Sequence, residues 1–220
     1  MKKSDIVIFI LFCFSVALFL YFAKIDLYIS DFFYKEGTGF YLANTLFAKI
    51  IYKATIIVVA VFTIAVLGLL ILDLILKKEL FSIRKKVLVY LILSLLLGPG
   101  LVVNLIFKDN WGRARPIHIE QFGGDKKFTP AFVKTDQCEK NCSFSSGHAA
   151  AAFYFLSLVP LFRDPKKRFF VAAAALAWGF AVGTVRVLQG GHFLSDVVFS
   201  AFFVYFTARI LYYFMFERGL

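Results

Sequence analysis

The sequence predicts an all-α protein, a polytopic membrane bundle of six transmembrane helices. Three observations lead there. Of 220 residues, 60% are hydrophobic and 29 are phenylalanine, which a water-soluble domain would struggle to bury. A helix needs about 20 mostly apolar residues to cross roughly 30 Å of hydrocarbon. Apolar runs of that kind recur at about 6–23, 54–76, 87–107, 148–162, 169–189 and 193–216. Finally, the short links "KKELFSIRKK" (Lys77–Lys86) and "RDPKKR" (Arg163–Arg168) are rich in the cations that stay cytoplasmic.

The opening "MKKSDIVIFILFCFSVALFLYFA" reads as a retained first helix, because bulky Phe and Leu stand where a leader peptide has small cleavage residues. The two basic links, with Lys2 and Lys3, place both termini in the cytoplasm. Segments 24–53 and 108–147 and the turn at Gly190-Gly191 then fall outside. The long outer loop carries seven basic residues, but it also holds five acidic ones and weighs less than the short links. Gly98-Pro99-Gly100 is expected to kink the third helix. The fourth run is short and extends upstream through Ser145. With no internal repeat, low-complexity tract or separating linker, residues 1–220 read as one integral-membrane domain.

The net charge of +11 lies at membrane edges, and no soluble nucleic-acid module accompanies it. An anionic membrane lipid is therefore the expected partner, with no nucleic acid and no obligate protein partner implied. Of three cysteines, Cys13 is mid-helix, and Cys138 and Cys142 sit together in "DQCEKNCSF" on the outer side. A disulfide is expected there; half a zinc site would need about four ligands, and no second Cys pair exists.

Three clusters interrupt the apolar pattern. In "RVLQGGHFLSD", His192 and Asp196 are four apart on one helical face, where the carboxylate is placed to accept from one ring nitrogen and leave the other free to attack. The Gly190-Gly191 turn brings Arg186, whose fork suits phosphate oxygens, back beside His192. In "NCSFSSGHAAAAF", Ser146 and Gly147 precede His148 at a helix N-terminus, which favours an anion; a plain Ser146 cap is the competing reading. In "KDNWGRARP", Lys108, Arg113 and Arg115 crowd the outer end of the third helix. An interfacial anchor would account for Trp111 but not for three cations. All three clusters fall at the outer surface, and cations, histidines and a carboxylate converging there point to phosphoryl transfer to a histidine.

The ordered spacing Lys108-x6-Arg115-Pro116, Ser146-Gly147-His148 and Arg186-x5-His192-x3-Asp196 resembles the signature of the type 2 phosphatidic acid phosphatase superfamily, which includes membrane lipid phosphatases and soluble vanadium haloperoxidases. Two positions depart from that signature: Ser145 stands where the family usually has Pro, and Val185 where it usually has Ser. The resemblance implies that His192 attacks phosphorus, Asp196 orients it and His148 protonates the leaving alcohol. Lys108, Arg115 and Arg186, with Ser146 and Gly147, would hold the phosphate. No metal or other cofactor is implied, and no carboxylate cluster suited to Mg²⁺ accompanies the motifs.

Within the superfamily, "FGG…FTPAF", the Cys pair and "SFSSGHA" look most like the lipid A 4'-phosphatases of Gram-negative inner membranes, a type associated with resistance to cationic antimicrobial peptides. That resemblance implies a periplasmic active site on a multi-pass inner-membrane protein. Undecaprenyl diphosphate and phosphatidylglycerophosphate phosphatases share the catalytic signature and stay open as alternatives. A non-catalytic lipid-binding or transport protein is the alternative from another class, though it would need neither histidine.

Overall fold

In hydrocarbon no water satisfies a backbone N–H or C=O, so apolar segments must pair these groups internally as helices. The computed structural model, which describes residues 3–77 and 84–218, is built this way. Lys2 and the centre of the Lys77–Lys86 link, both used above for orientation, lie outside the described residues. In chain order come α1 (Lys3–Tyr21), α2 (Lys24–Asp31), the antiparallel hairpin of β1 (Tyr34–Lys35) and β2 (Gly39–Phe40), and α3 (Leu46–Leu76). Then follow α4 (Lys85–Leu95), which runs on as π-helical turns over Leu96–Lys108, and α5 (Gly147–Phe153), which runs on as 3-10 turns over Tyr154–Leu161. The last two are α6 (Pro165–Leu188) and α7 (Leu194–Tyr212), with a final π turn over Tyr213–Glu217.

Five of these helices are long and apolar enough to cross a membrane, and Gly147–Leu161 is a shorter apolar sixth. That one gains reach from its 3-10 half: seven α and eight 3-10 residues rise about 26 Å together. The crossings thus follow the expected six, with shifted ends. α3 starts at Leu46 and not near 54, because Thr45 caps it by accepting from Ala48 N at 3.3 Å. α6 starts at Pro165 and not near 169, because Asp164 accepts from Lys166 N and Lys167 N ahead of a proline in the first turn. α2 was not expected at all; its polar face, with Asp26 and Ser30 buried, turns into the protein. At Gly98-Pro99-Gly100, proline has no N–H to give, and the helix widens into π turns.

α7 forms the centre, packed by α5, α6, α2 and the π segment. Its phenylalanines join those of α1 and the outer loop: Phe12 meets Phe199, Phe202 and Phe206 edge-on, and Phe107 stacks on Phe203 at 4.4 Å. Trp111 belongs to this cluster, bonded to Ala131 O at 2.8 Å. By contrast Ile56, Ile57, Val61 and Ile64 of α3 face outward, as lipid contact requires. At the N-terminal end of α1, Asp5 pairs with Arg209 at 3.0 Å and ties the first helix to the last.

Candidate active site

The outer loop carries the site residues across helix ends. Backbone bonds suture it: Cys142 N donates to Lys108 O and Ser143 N to Arg113 O, both at 2.9 Å. Cys138 and Cys142 form the expected disulfide. Ser146 then starts α5, its hydroxyl accepting from Ala149 N at 3.4 Å, so the cap reading of that side chain holds. The turn is pinned to α7, because Ser146 N donates to Asp196 O and Ser200 Oγ to Ser146 O. Gly147 has a steric reason: a Cβ there would come within 2.7 Å of Asn104 Oδ1 and 3.2 Å of Lys108 Nζ. Its missing side chain lets the Lys108 ammonium lie against the first turn of α5.

The turn between α6 and α7 wraps the carbonyl of Arg186, which accepts from Gly191 N at 3.0 Å and His192 N at 3.3 Å. The left-handed Gly190 closes it. A Cβ on Gly191 would strike the Arg186 guanidinium at 2.1 Å, so glycine admits that fork beside the backbone. Arg186 bonds Gln189 Oε1 and lies over the Tyr52 ring at 5.0 Å. The same ring stacks on His148 at 4.1 Å. His148 Nε2 is buried and has no hydrogen-bond partner among the described residues. Arg115 is half-buried, donates to Asn141 O at 2.6 Å and shares one electrostatic neighbourhood with Lys108 and Arg186; burial depresses its pKa.

His192 is 1% exposed. Its Nδ1 lies 2.7 Å from Ser143 O and 3.6 Å from Asp196 Oδ2. The carboxylate stands beside the ring, as its spacing predicts, but the closer partner is the carbonyl. A carbonyl oxygen only accepts, so Nδ1 carries the proton and Nε2 keeps its lone pair. Burial lowers the His192 pKa to about 4, opposed by its bond to Asp196 and assisted by Arg186. The ring is therefore neutral at neutral pH, as a nucleophile must be.

Behind it lies a network that single-sequence reading missed. Asp196 Oδ2 accepts from Phe193 N and Ser143 Oγ, and Oδ1 from Arg113 Nη1 at 2.6 Å. Arg113 is fully buried over the Phe193 ring and reaches Asp26 Oδ2 of α2 at 2.8 Å. Asp26 also accepts from the backbone and hydroxyl of Ser195. Burial pushes the Asp26 carboxyl up, and Arg113 pulls it back. An acid inside "FAKIDLYIS" was a signal that could have found Asp26; nothing near Tyr52 marked it. At the two departures, the Ser145 hydroxyl is buried without a partner among the described residues, and Val185 packs with Ala48 and Leu188. His118, assigned no role, lies exposed.

Fold and site together define a multi-pass helical membrane protein in which three cations and two histidines share one electrostatic neighbourhood. The chain belongs to the PAP2 superfamily, whose model matches residues 87–220, and it is a lipid phosphatase, a phosphoric monoester hydrolase. It is 37% identical, over 99% of both chains, to "Lipid A 4'-phosphatase" of Francisella tularensis subsp. novicida (strain U112). Proteins of the same name match partially: 43% identity in Rhizobium leguminosarum, over 48% of this chain and 45% of that one, and 39% in Rhizobium etli, over 47% and 40%. No solved structure matches the chain.

Proposed function

We propose that the protein removes the 4'-phosphate of lipid A at the periplasmic face of the bacterial inner membrane through a phosphohistidine. The observation that carries the substrate is the full-length similarity to the Francisella lipid A 4'-phosphatase. The observation that supports the mechanism is His192, neutral and buried, its Nδ1 held by the Ser143 carbonyl, beside Lys108 and Arg186.

In the first step Nε2 of His192 attacks phosphorus in line with the ester oxygen. The N–P bond forms, the P–O bond to the sugar breaks, and His148, which takes up a proton as the bound phosphate offsets the surrounding cations, gives that proton to the departing alkoxide. Lys108, Arg115 and Arg186 hold the equatorial oxygens as charge spreads onto them, with the first turn of α5 at Gly147 beside them. In the second step His148, now neutral, takes a proton from water, which attacks phosphorus and breaks the N–P bond. Phosphate leaves and His192 returns neutral. Throughout, Asp196 balances the positive ring of phosphohistidine. The basic link Arg163–Arg168 at the opposite end of the helices supports the periplasmic placement of the pocket and the cytoplasmic placement of both termini.

The test offers purified protein, in detergent with EDTA, equal amounts of lipid A bisphosphate, undecaprenyl diphosphate and phosphatidylglycerophosphate, each followed by mass spectrometry beside His192→Ala. Selective loss of the 4'-phosphate from lipid A, absent in the variant, is the expected result. Preference for another lipid overturns the substrate and keeps the chemistry; full activity of His192→Ala overturns the mechanism.

A further inference from the structure

Asp26 lies in α2, outside the segment 87–220 that carries the superfamily signature, yet its carboxylate is fully buried. An ionised carboxylate without water survives only if it is paired and its lone pairs are filled. Here both oxygens are filled: Oδ2 by Arg113 Nη2 and the Ser195 hydroxyl, Oδ1 by Ser195 N at 2.9 Å.

Arg113 is equally constrained. Its Nε donates to Thr129 O, Nη1 to Ser195 Oγ and Asp196 Oδ1, and Nη2 to Asp26. With four of its five N–H groups bonded to protein acceptors, the planar fork is held in one position, and that position fixes Asp196. Asp196 in turn fixes the Ser143 hydroxyl, and the Ser143 carbonyl holds Nδ1 of His192. Arg113 thus faces away from the phosphate pocket, whereas Arg115, two residues on, does not.

We propose that Asp26 and Arg113 are positioning residues for the phosphatase reaction: the N-terminal helix α2, through Asp26 and Arg113, holds Asp196 and with it the nucleophilic ring of His192. The idea rests on His192 as the nucleophile. Neither residue touches the phosphate, so their loss slows the chemical step and leaves substrate affinity in place.

The experiment compares full-length wild type, Asp26→Asn, and the double variant Asp26→Ala with Arg113→Met, which removes both buried charges together and so leaves neither stranded. Asp5→Asn, which breaks the Asp5–Arg209 pair that ties α1 to α7 by the N-terminal end of α1, controls for simple loss of a helix tie. Phosphate release from lipid A bisphosphate gives kcat and KM, and detergent melting gives the folded fraction. We expect kcat to fall at least about tenfold in both Asp26 variants from misplacement of the ring, with KM within about twofold of wild type because the phosphate-holding cations are untouched. Asp5→Asn keeps wild-type kcat. Wild-type kcat in the folded double variant overturns the proposal. So does loss of activity that only follows loss of folded protein in every Asp26 variant, which would make Asp26 a structural tie. If His192→Ala is itself active, the nucleophile assignment has failed, and that is distinguishable from an active Asp26→Asn beside an inactive His192→Ala.

Discussion

The two sides of His192 use the same residue types for opposite ends. Toward the pocket, Arg115 and Arg186 carry few protein bonds: one backbone carbonyl for the first, one glutamine and a tyrosine face for the second. Behind the ring, Arg113 has four of its five N–H groups bonded, two carboxylates among its partners, and no exposure. Arginines two residues apart in "GRARP" thus differ in what they can still do. A guanidinium whose donors are spent on protein acceptors can only position; one with donors to spare can take up a phosphate. The pocket side leaves Arg115 and Arg186 without a carboxylate partner among the described residues, whereas the rear side pairs Arg113 with both Asp26 and Asp196.

This contrast can be broken in several places. His192→Ala removes the atom on which both sides converge, and phosphate release is expected to fall by at least about 10⁴-fold in a single-turnover assay, since a nucleophile's loss is seldom compensated. Arg186→Ala on the pocket side is expected to lower kcat/KM about 10²- to 10³-fold, the scale for one oxyanion donor, and Arg186→Lys to recover only part of it because an ammonium lacks the fork. A wild-type rate in Arg186→Ala would mean that the pocket side has been misread.

The pH dependence of stability sharpens the rear side. The folded His192 pKa is about 4 against an ordinary 6.5, so the unfolded chain binds a proton that the folded chain refuses between those values. The stabilising contribution is complete above pH 6.5 and is lost as pH falls toward 4, amounting to about 3 kcal/mol. Melting in detergent across pH 7 to 4 should steepen accordingly, and His192→Gln should flatten that limb. The smallest effect is expected at Tyr52, whose ring stacks on His148. Tyr52→Leu loses about 0.5 to 1.5 kcal/mol of ring contact, read as a several-fold drop in kcat, while Tyr52→Phe keeps the stack and the rate.

By itself the sequence determined the class of fold, because apolar length against bilayer thickness leaves a chain few options other than membrane helices. It also determined most of the pocket: the periodicity that puts His192 and Asp196 on one face is local, and so is the glycine turn that returns Arg186. The helix ends moved where local capping outran hydropathy, at Thr45 and Asp164. Asp26, Tyr52, and the separate fates of Arg113 and Arg115 were decided only by tertiary structure. Asp26 and Arg113 are 87 positions apart and meet only because α2 packs against α7 where Arg113 of the outer loop bonds both helices. Tyr52 meets His148 only because α3 stands beside α5. A charge in a sequence states its sign; whether it is spent on a partner or left for a substrate depends on which acceptors folding brings within hydrogen-bond reach.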